Sequence, residues 1–193
     1  MQEHGVETAF GGATFLDPHR IRIGEDREVE GRQVVVAVGS HAQAPDLPGL
    51  VETGFIDHVG VFHLEALPKR LAVIGGGPVG LELGQTLARL GSEVTVLQSA
   101  DRLLPRDDAE LTGLLAKLLG EELTVHTGAR ATAVSRKGDA KRVTYEQGGE
   151  TRTLDADEIL VAVGRAPRLE GLVLDVARVE THHSGIVVDG YLR

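Results

Sequence analysis

Short apolar runs rich in β-branched residues recur along the chain, separated by stretches with the spacing of helices or the residues of turns. Leu71 to Ile74 is one such run and leads directly into three glycines. From about Val79 to Leu90, Leu83, Leu87 and Leu90 fall at spacings of four and three, which predicts an amphipathic helix, and Gly91 supplies its stop. Glu93 to Leu97 (EVTVL) reads as the next strand. Asp107 or Asp108 is placed to cap a second helix running to about Leu119, with Leu111, Leu114, Leu115 and Leu118 on one face and Gly120 at its end. A third strand is expected at Leu123 to His126. Ala131 to Val134, Arg142 to Glu146 and Thr151 to Leu154 alternate and are parted by Lys137-Gly138-Asp139 and Gly148-Gly149, the pattern of an antiparallel meander. Glu158 to Val163 (EILVAV) is apolar almost throughout and predicts a return to a parallel strand buried on both faces. Strand alternating with helix makes this an α/β chain with a parallel sheet, carrying the meander as a β insertion.

The flanks are less regular. Gln33 to Val38 (QVVVAV), ending at Gly39-Ser40, predicts another strand buried on both faces, and VVVAVGS near residue 35 is echoed by ILVAVGR near residue 160. Between Gly5 and Val29, pieces such as Thr14-Phe15-Leu16 and Ile21-Arg22-Ile23 alternate with turn residues and read as a small antiparallel ribbon. Residues 41 to 70, with Pro45 and Pro48, show no sustained period and read as a linker or domain crossing.

Strand, glycine turn, helix and strand together form the βαβ context that gives weight to Gly75-Gly76-Gly77-Pro78-Val79-Gly80, a G-x-G-x-x-G fingerprint of Rossmann type. Gly75 lets the chain turn tightly out of the strand, Gly77 removes a side chain that would block a pyrophosphate, and Gly80 lets the helix lie close to the strand. A helix start favours anions through its N–H groups and its dipole, by about 0.3 to 1 kcal/mol per charge. The plainer alternative is a tight turn with no ligand. About 20 residues further on, where an acidic residue commonly meets the adenosine ribose, stands Gln98, followed by Ser99. A neutral amide does not repel a 2′-phosphate and Arg102 is near enough to pair with one, so the sequence leans to NADPH with either nicotinamide nucleotide admissible. The alternative for Arg102 is a solvated surface arginine. Glu82 reads as a first-turn carboxylate directed toward the sheet and the cofactor, where it needs a partner, or else as an acid stabilised by the dipole alone.

Composition narrows the chemistry. The absence of cysteine removes thiolate metal sites, disulfides and thiol redox chemistry from this chain. A net charge of −9 without clustered Lys and Arg argues against a nucleic-acid partner. With aromatics at 3%, a flat ligand must be held mainly by backbone and aliphatic groups. His182-His183 would point to opposite faces of a strand and lacks companion ligands, so no metal site is expected. His41, His58 and His63 read as surface residues, and no catalytic set stands out. Met1 to Gly5 lack a signal core and no apolar run approaches the roughly 20 residues of a membrane helix, so a cytoplasmic protein is expected.

VVVAVGSHAQAPDLPGL, LPKRLAVIGGGPVGLELGQTLARLGSEVTVLQSADRLLP and ADEILVAVGRAPRLEGLVLD, with GIVVDGYLR at the end, resemble in order and spacing the FAD-dependent pyridine nucleotide-disulfide oxidoreductases, especially the mercuric reductase and dihydrolipoamide dehydrogenase branch. The resemblance implies that residues 66–167 are a Rossmann-like NAD(P)-binding domain and that 1–65 and 168–193 are partial segments of an FAD domain. It implies that Gly75, Gly77, Pro78, Val79 and Gly80 hold the cofactor pyrophosphate, that Gln98 and Ser99 meet the ribose, and that Ala131, Val163 and Gly164 line the adenine and nicotinamide sides. Glu82 matches a glutamate that in relatives pairs with a lysine near the flavin; no such lysine is in this chain. The sequence also has no FAD glycine motif, no C-x4-C redox pair, no ribityl aspartate and no dimerisation domain. The resemblance therefore implies an internal piece of an enzyme that passes hydride from NAD(P)H to FAD. By itself the piece is expected to bind a nicotinamide nucleotide, not FAD, and to be inactive. Its partners would be the rest of the FAD and dimerisation domains, and unpaired flanking strands would favour self-association. A non-catalytic dinucleotide sensor or interaction module is the alternative.

Overall fold

The structure is a computed structural model and describes residues 5–193; Met1 to His4, part of the stretch read for a targeting signal, lie outside it. The chain forms two units, one from the described part of Met1–His41 with Ala166–Arg193, the other from Ala42–Arg165. In the first unit, Ala13–Phe15 (β1), Arg20–Ile23 (β2) and Arg27–Glu30 (β3) make an antiparallel ribbon in the order β1-β2-β3, with Ala13 opposite Ile23 and Arg20 opposite Glu30. The β1–β2 turn is set by Asp17, whose carboxylate accepts from the backbone N–H groups of His19 and Arg20 and from the Arg20 guanidinium. The ribbon expected before Val29 is thus present, with a third strand added.

Gln33 to Val38 corrects the expectation of a strand buried on both faces. Among the described residues the run pairs with no strand, and Val35 is 86% exposed. Only Val34 and Val36 pack, against a cluster built on Phe15, Leu172, Leu174 and Ala177. A parallel strand is covered on both faces only when it lies within a sheet, and among the described residues no ladder partner is present. The chain leaves this unit through Ser40–Ala42 (β4).

Residues 42 to 70 are an ordered part of the second unit. Leu50–Thr53 (α1) seats a fully buried Leu50 against Val134 and Val143, and the Val134 N–H donates to the Pro48 carbonyl. A single 3-10 turn follows at Gly60–His63. Isolated anchors of this kind produce no period in a sequence, which is why the stretch reads as a linker.

The centre of this unit is a four-stranded parallel sheet. Arg70–Ile74 (β5) leads through Pro78–Arg89 (α2) to Glu93–Leu97 (β6), then through Ala109–Leu119 (α3) to Thr124–His126 (β7). Ala129–Lys137 (β8), Ala140–Gln147 (β9) and Glu150–Ala156 (β10) form the antiparallel meander, and Glu158–Val161 (β11) returns beside β5 to give the order β11-β5-β6-β7. Leu71 and Val73 of β5 face a cluster with Leu81 and Leu87 of α2 and Leu119 of α3. Ala72 and Ile74 face the other way, into a cluster with Val143 and Tyr145 of the meander. Burial on both faces is the reason β5 and β11 are apolar after their first residue. The start of the sheet is pinned by Arg70, whose N–H and guanidinium both donate to the Asp157 carboxylate while Asp157 N–H donates back to the Arg70 carbonyl. Arg165–Pro167 (β12) then leads back to the first unit, which holds a short hairpin of Thr181–His182 (β13) and Gly185–Ile186 (β14).

Both helices correct part of the expected apolar faces. In α2 Leu87 is buried and Leu83 packs partly buried against the same core, as expected, with Gly80, Leu81 and Gly84 also buried, whereas Leu90 lies beyond the last turn and is 66% exposed. In α3, capped by Asp108 through the N–H groups of Glu110 and Leu111, Thr112 and Leu119 are buried with Leu115 and Ala116 partly so, while Leu111, Leu114 and Leu118 face outward. This helix is apolar on more than one side, so spacing alone cannot select the face that packs.

Glu122, just past α3, ties the helices together by accepting from Arg89 and Gln85 of α2. The Arg89 guanidinium, helped by the Gln85 amide, pulls its carboxyl down from the ordinary 4.5 to about 2. A depressed carboxyl contributes stability above its unfolded value and loses it as pH falls through the folded one. Glu122→Gln is therefore expected to melt slightly below the wild type at pH 6, with the gap closing between pH 4.5 and about 2 and shrinking in salt. Thermal melts across that range check this.

Candidate functional site

The β5–α2 turn is shaped by glycines required for different reasons. Gly75, whose N–H donates to the Leu97 carbonyl, has φ +115°, and a Cβ there would sit 2.7 Å from the Ala162 carbonyl carbon and closer still to its oxygen. At Gly80 a Cβ would press into the Gly75 carbonyl oxygen and lie 3.2 Å from Val73 Cγ1, so the glycine is what lets α2 lie against β5. At Gly76 it would meet Leu103 Cδ2 at 2.6 Å. The fold alone accounts for these three.

Gly77 is different. It is the N-cap of α2 with φ −85° and ψ 179°, an extended conformation open to any residue, and a Cβ built on it meets nothing within 4 Å. Neither conformation nor packing within the chain calls for glycine here. Pro78 follows at N1, no side chain caps the helix, and the first N–H groups of any helix lack intrahelical acceptors. The result is open space in front of a helix start.

The loop after β6 closes on the turn from the side. Gln98, 8% exposed, accepts from the Gly76 N–H through Oε1 at 3.0 Å and donates through Nε2 to the Arg102 carbonyl at 3.3 Å. Leu104 N–H donates to the Gly76 carbonyl, and Leu103 is 1% exposed against Gly76. Ser99 is exposed. Arg102 donates through Nη2 to the Pro105 carbonyl at 2.6 Å, while its Nη1 is buried without a hydrogen-bond partner. Sequence reasoning missed Leu103 and Leu104; the apolar pair before Pro105, within an otherwise polar loop, is the signal that points to them.

Val163 and Gly164 follow β11, and the Val163 nitrogen lies 3.2 Å from where a Gly75 Cβ would be. Gly164 has φ +142° and its carbonyl accepts from Gln43 N–H. Ala131 sits at a register irregularity of β8, partly buried against the meander-side core. Glu82 departs from its expected place. The helix begins at Pro78, so Glu82 is the fifth residue, outside the first turn, and it is exposed. The histidine pair also differs: β13 ends at His182, strand alternation stops there, and the two exposed rings lie 5.4 Å apart. Among the described residues no group of three or more His, Cys, Asp or Glu could hold a metal ion, and no helix is long and apolar enough to cross a membrane. Turn and loop thus bring the uncapped helix start at Gly77 beside Gln98 and the loop that carries Ser99 and Arg102.

The profile of the pyridine nucleotide-disulphide oxidoreductase family matches residues 1–193. The chain is 35% identical to a mercuric reductase of Bacillus cereus, over 100% of this chain and 31% of that protein. It is 49% identical to a dihydrolipoyl dehydrogenase of Thermus scotoductus, over 97% of this chain and 41% of that one. Among solved structures, the copper(II) complex of the HOCl-induced flavoprotein disulfide reductase RclA of Escherichia coli superposes with a TM-score of 0.85 at 29% identity, covering 95% of this chain and 42% of that one. The chain thus spans between about a third and two fifths of the length of these relatives. With the parallel sheet, the glycine turn and the antiparallel meander in place, these matches make the chain a member of the FAD-dependent pyridine nucleotide-disulfide oxidoreductase family.

Proposed function

We propose that this chain binds a nicotinamide dinucleotide at the β5–α2 turn, with NADPH favoured over NADH, as the NAD(P)-binding part of a flavin-dependent disulfide or metal-ion reductase. The observation that carries the reading is Gly77. A glycine that the chain's own conformation and packing do not require, in front of an uncapped helix start, fits a ligand that approaches the backbone closely. Gly75 and Gly80 shape the turn, and the N–H groups of Val79 and Gly80 would bind the pyrophosphate. Ser99 would meet the ribose, with Ala131, Val163 and Gly164 along the adenine and nicotinamide sides. Residues 66–167 would be the nicotinamide-nucleotide module and the flanks segments of an FAD domain. When bound, the nicotinamide supplies a hydride; this chain's residues bind and orient it.

The lean to NADPH rests on Arg102. A buried guanidinium nitrogen without an acceptor is unfavourable, and a turn of the side chain that hands it to a 2′-phosphate removes that deficit with a charge-assisted bond. Calorimetric titration at one salt concentration tests both parts. Saturable binding of both nucleotides is expected, NADPH the tighter, and Arg102→Ala should weaken NADPH about tenfold while leaving NADH unchanged. A folded chain silent toward both nucleotides overturns the reading.

A further inference from the structure

We propose that Gln98 is the positioning residue of the dinucleotide turn, and that its place requires a neutral carboxamide because one end must accept from Gly76 while the other donates to Arg102. Oε1 takes the Gly76 N–H at 3.0 Å and Nε2 gives to the Arg102 carbonyl at 3.3 Å. A carboxamide is the side chain of this length that carries an acceptor at one corner and a donor at the other. A carboxylate, the group common at this point of dinucleotide folds, would keep the first bond and lose the second. Its other oxygen would face the Arg102 carbonyl, two acceptors without a proton between them, at a residue only 8% exposed where water cannot readily intervene.

Gly76 is thereby gripped through both polar groups, its N–H by Gln98 and its carbonyl by the Leu104 N–H at 3.1 Å. Leu103 closes over it. Leu104 has φ +44°, a left-handed conformation unusual for a leucine, in the residue that makes the second of these bonds. The phosphate side of the turn and the loop carrying Ser99 and Arg102 are therefore one piece, with Gln98 as the tie. On this account position 98 acts on a nucleotide through the turn and through Arg102, rather than as the ribose contact itself. The ligand arm of this inference rests on the function proposed above; the hydrogen-bond arm does not.

The test records amide resonances of the whole chain and of Gln98→Glu and Gln98→Leu, then titrates each with NADPH and NADH. With hydrogen exchange in β6 unchanged, the Gly76 amide proton should move downfield in Gln98→Glu, where its acceptor is charged, and upfield in Gln98→Leu. The Leu104 amide should exchange faster in both variants, and both nucleotides should bind about tenfold more weakly to each. A Gln98→Glu chain that binds NADH more tightly than the wild type overturns the proposal, as does a Gly76 resonance unmoved in Gln98→Leu. If neither variant folds, the wild type decides: slow exchange of the Gln98 side-chain amide protons is expected, and exchange at the free rate overturns it. A wild type that binds neither nucleotide defeats the functional reading, while the Gly76 and Gln98 signals still decide the tie.

Discussion

Gly75→Ala is expected to lower the Tm by about 10 °C, equivalent to about 3 kcal/mol in a chain of this size. Two costs combine. The backbone at φ +115° is a conformation that an L-residue with a Cβ adopts only under strain, and the added carbon is driven into the Ala162 carbonyl. The atoms it meets are backbone just past the end of β11, with Ala162 N–H held by the Ile74 carbonyl, so no flexible side chain can move aside. The strain and the overpacking are each of order 1 to 3 kcal/mol. Thermal melting of the purified variant in the absence of nucleotide reads the effect, and a Tm within about 2 °C of the wild type would remove the structural role given to this glycine.

Gly77→Ala should do the opposite. Its backbone angles suit alanine and the new methyl meets nothing in the chain, so the Tm should stay within about 2 °C of the wild type. Nucleotide affinity, in contrast, should fall about a hundredfold, because the methyl occupies the space from which a pyrophosphate would approach the helix start. Calorimetric titration beside the melts separates the two effects. A variant that binds as the wild type does would leave Gly77 without the role on which the proposed function depends.

How much could be read in advance divides along physical lines. β5 and β11 are apolar after their first residue because both faces of the sheet are covered, and that condition writes an unbroken run into the sequence. The meander was equally legible, since its alternation and glycine turns are local signals. Gln33 to Val38 carries the same kind of run, yet a run states only that a strand would be buried if neighbours pair with it, and none of the described residues does. Leu111, Leu114 and Leu118 of α3 show a further limit: when leucines lie on more than one face, the partner sheet chooses among them, here for Thr112, Leu115 and Leu119. At the site, the positions of Gly75 and Gly80 followed from the fingerprint. The commitment of Gln98 to Gly76 and Arg102 did not, because it depends on a loop that folds back from residue 105 and on contacts that no spacing encodes.

The central claim is that a nicotinamide nucleotide lies across the β5–α2 turn, and amide chemical-shift mapping of the isotopically labelled chain during titration with NADPH, with FAD in parallel, addresses it most directly. The account predicts saturable shifts for Gly75 to Gly80, Gln98 to Arg102 and Val163 to Gly164 with NADPH, and none at these positions with FAD. Shifts confined to other parts of the chain, or the same shifts produced by FAD, would contradict it.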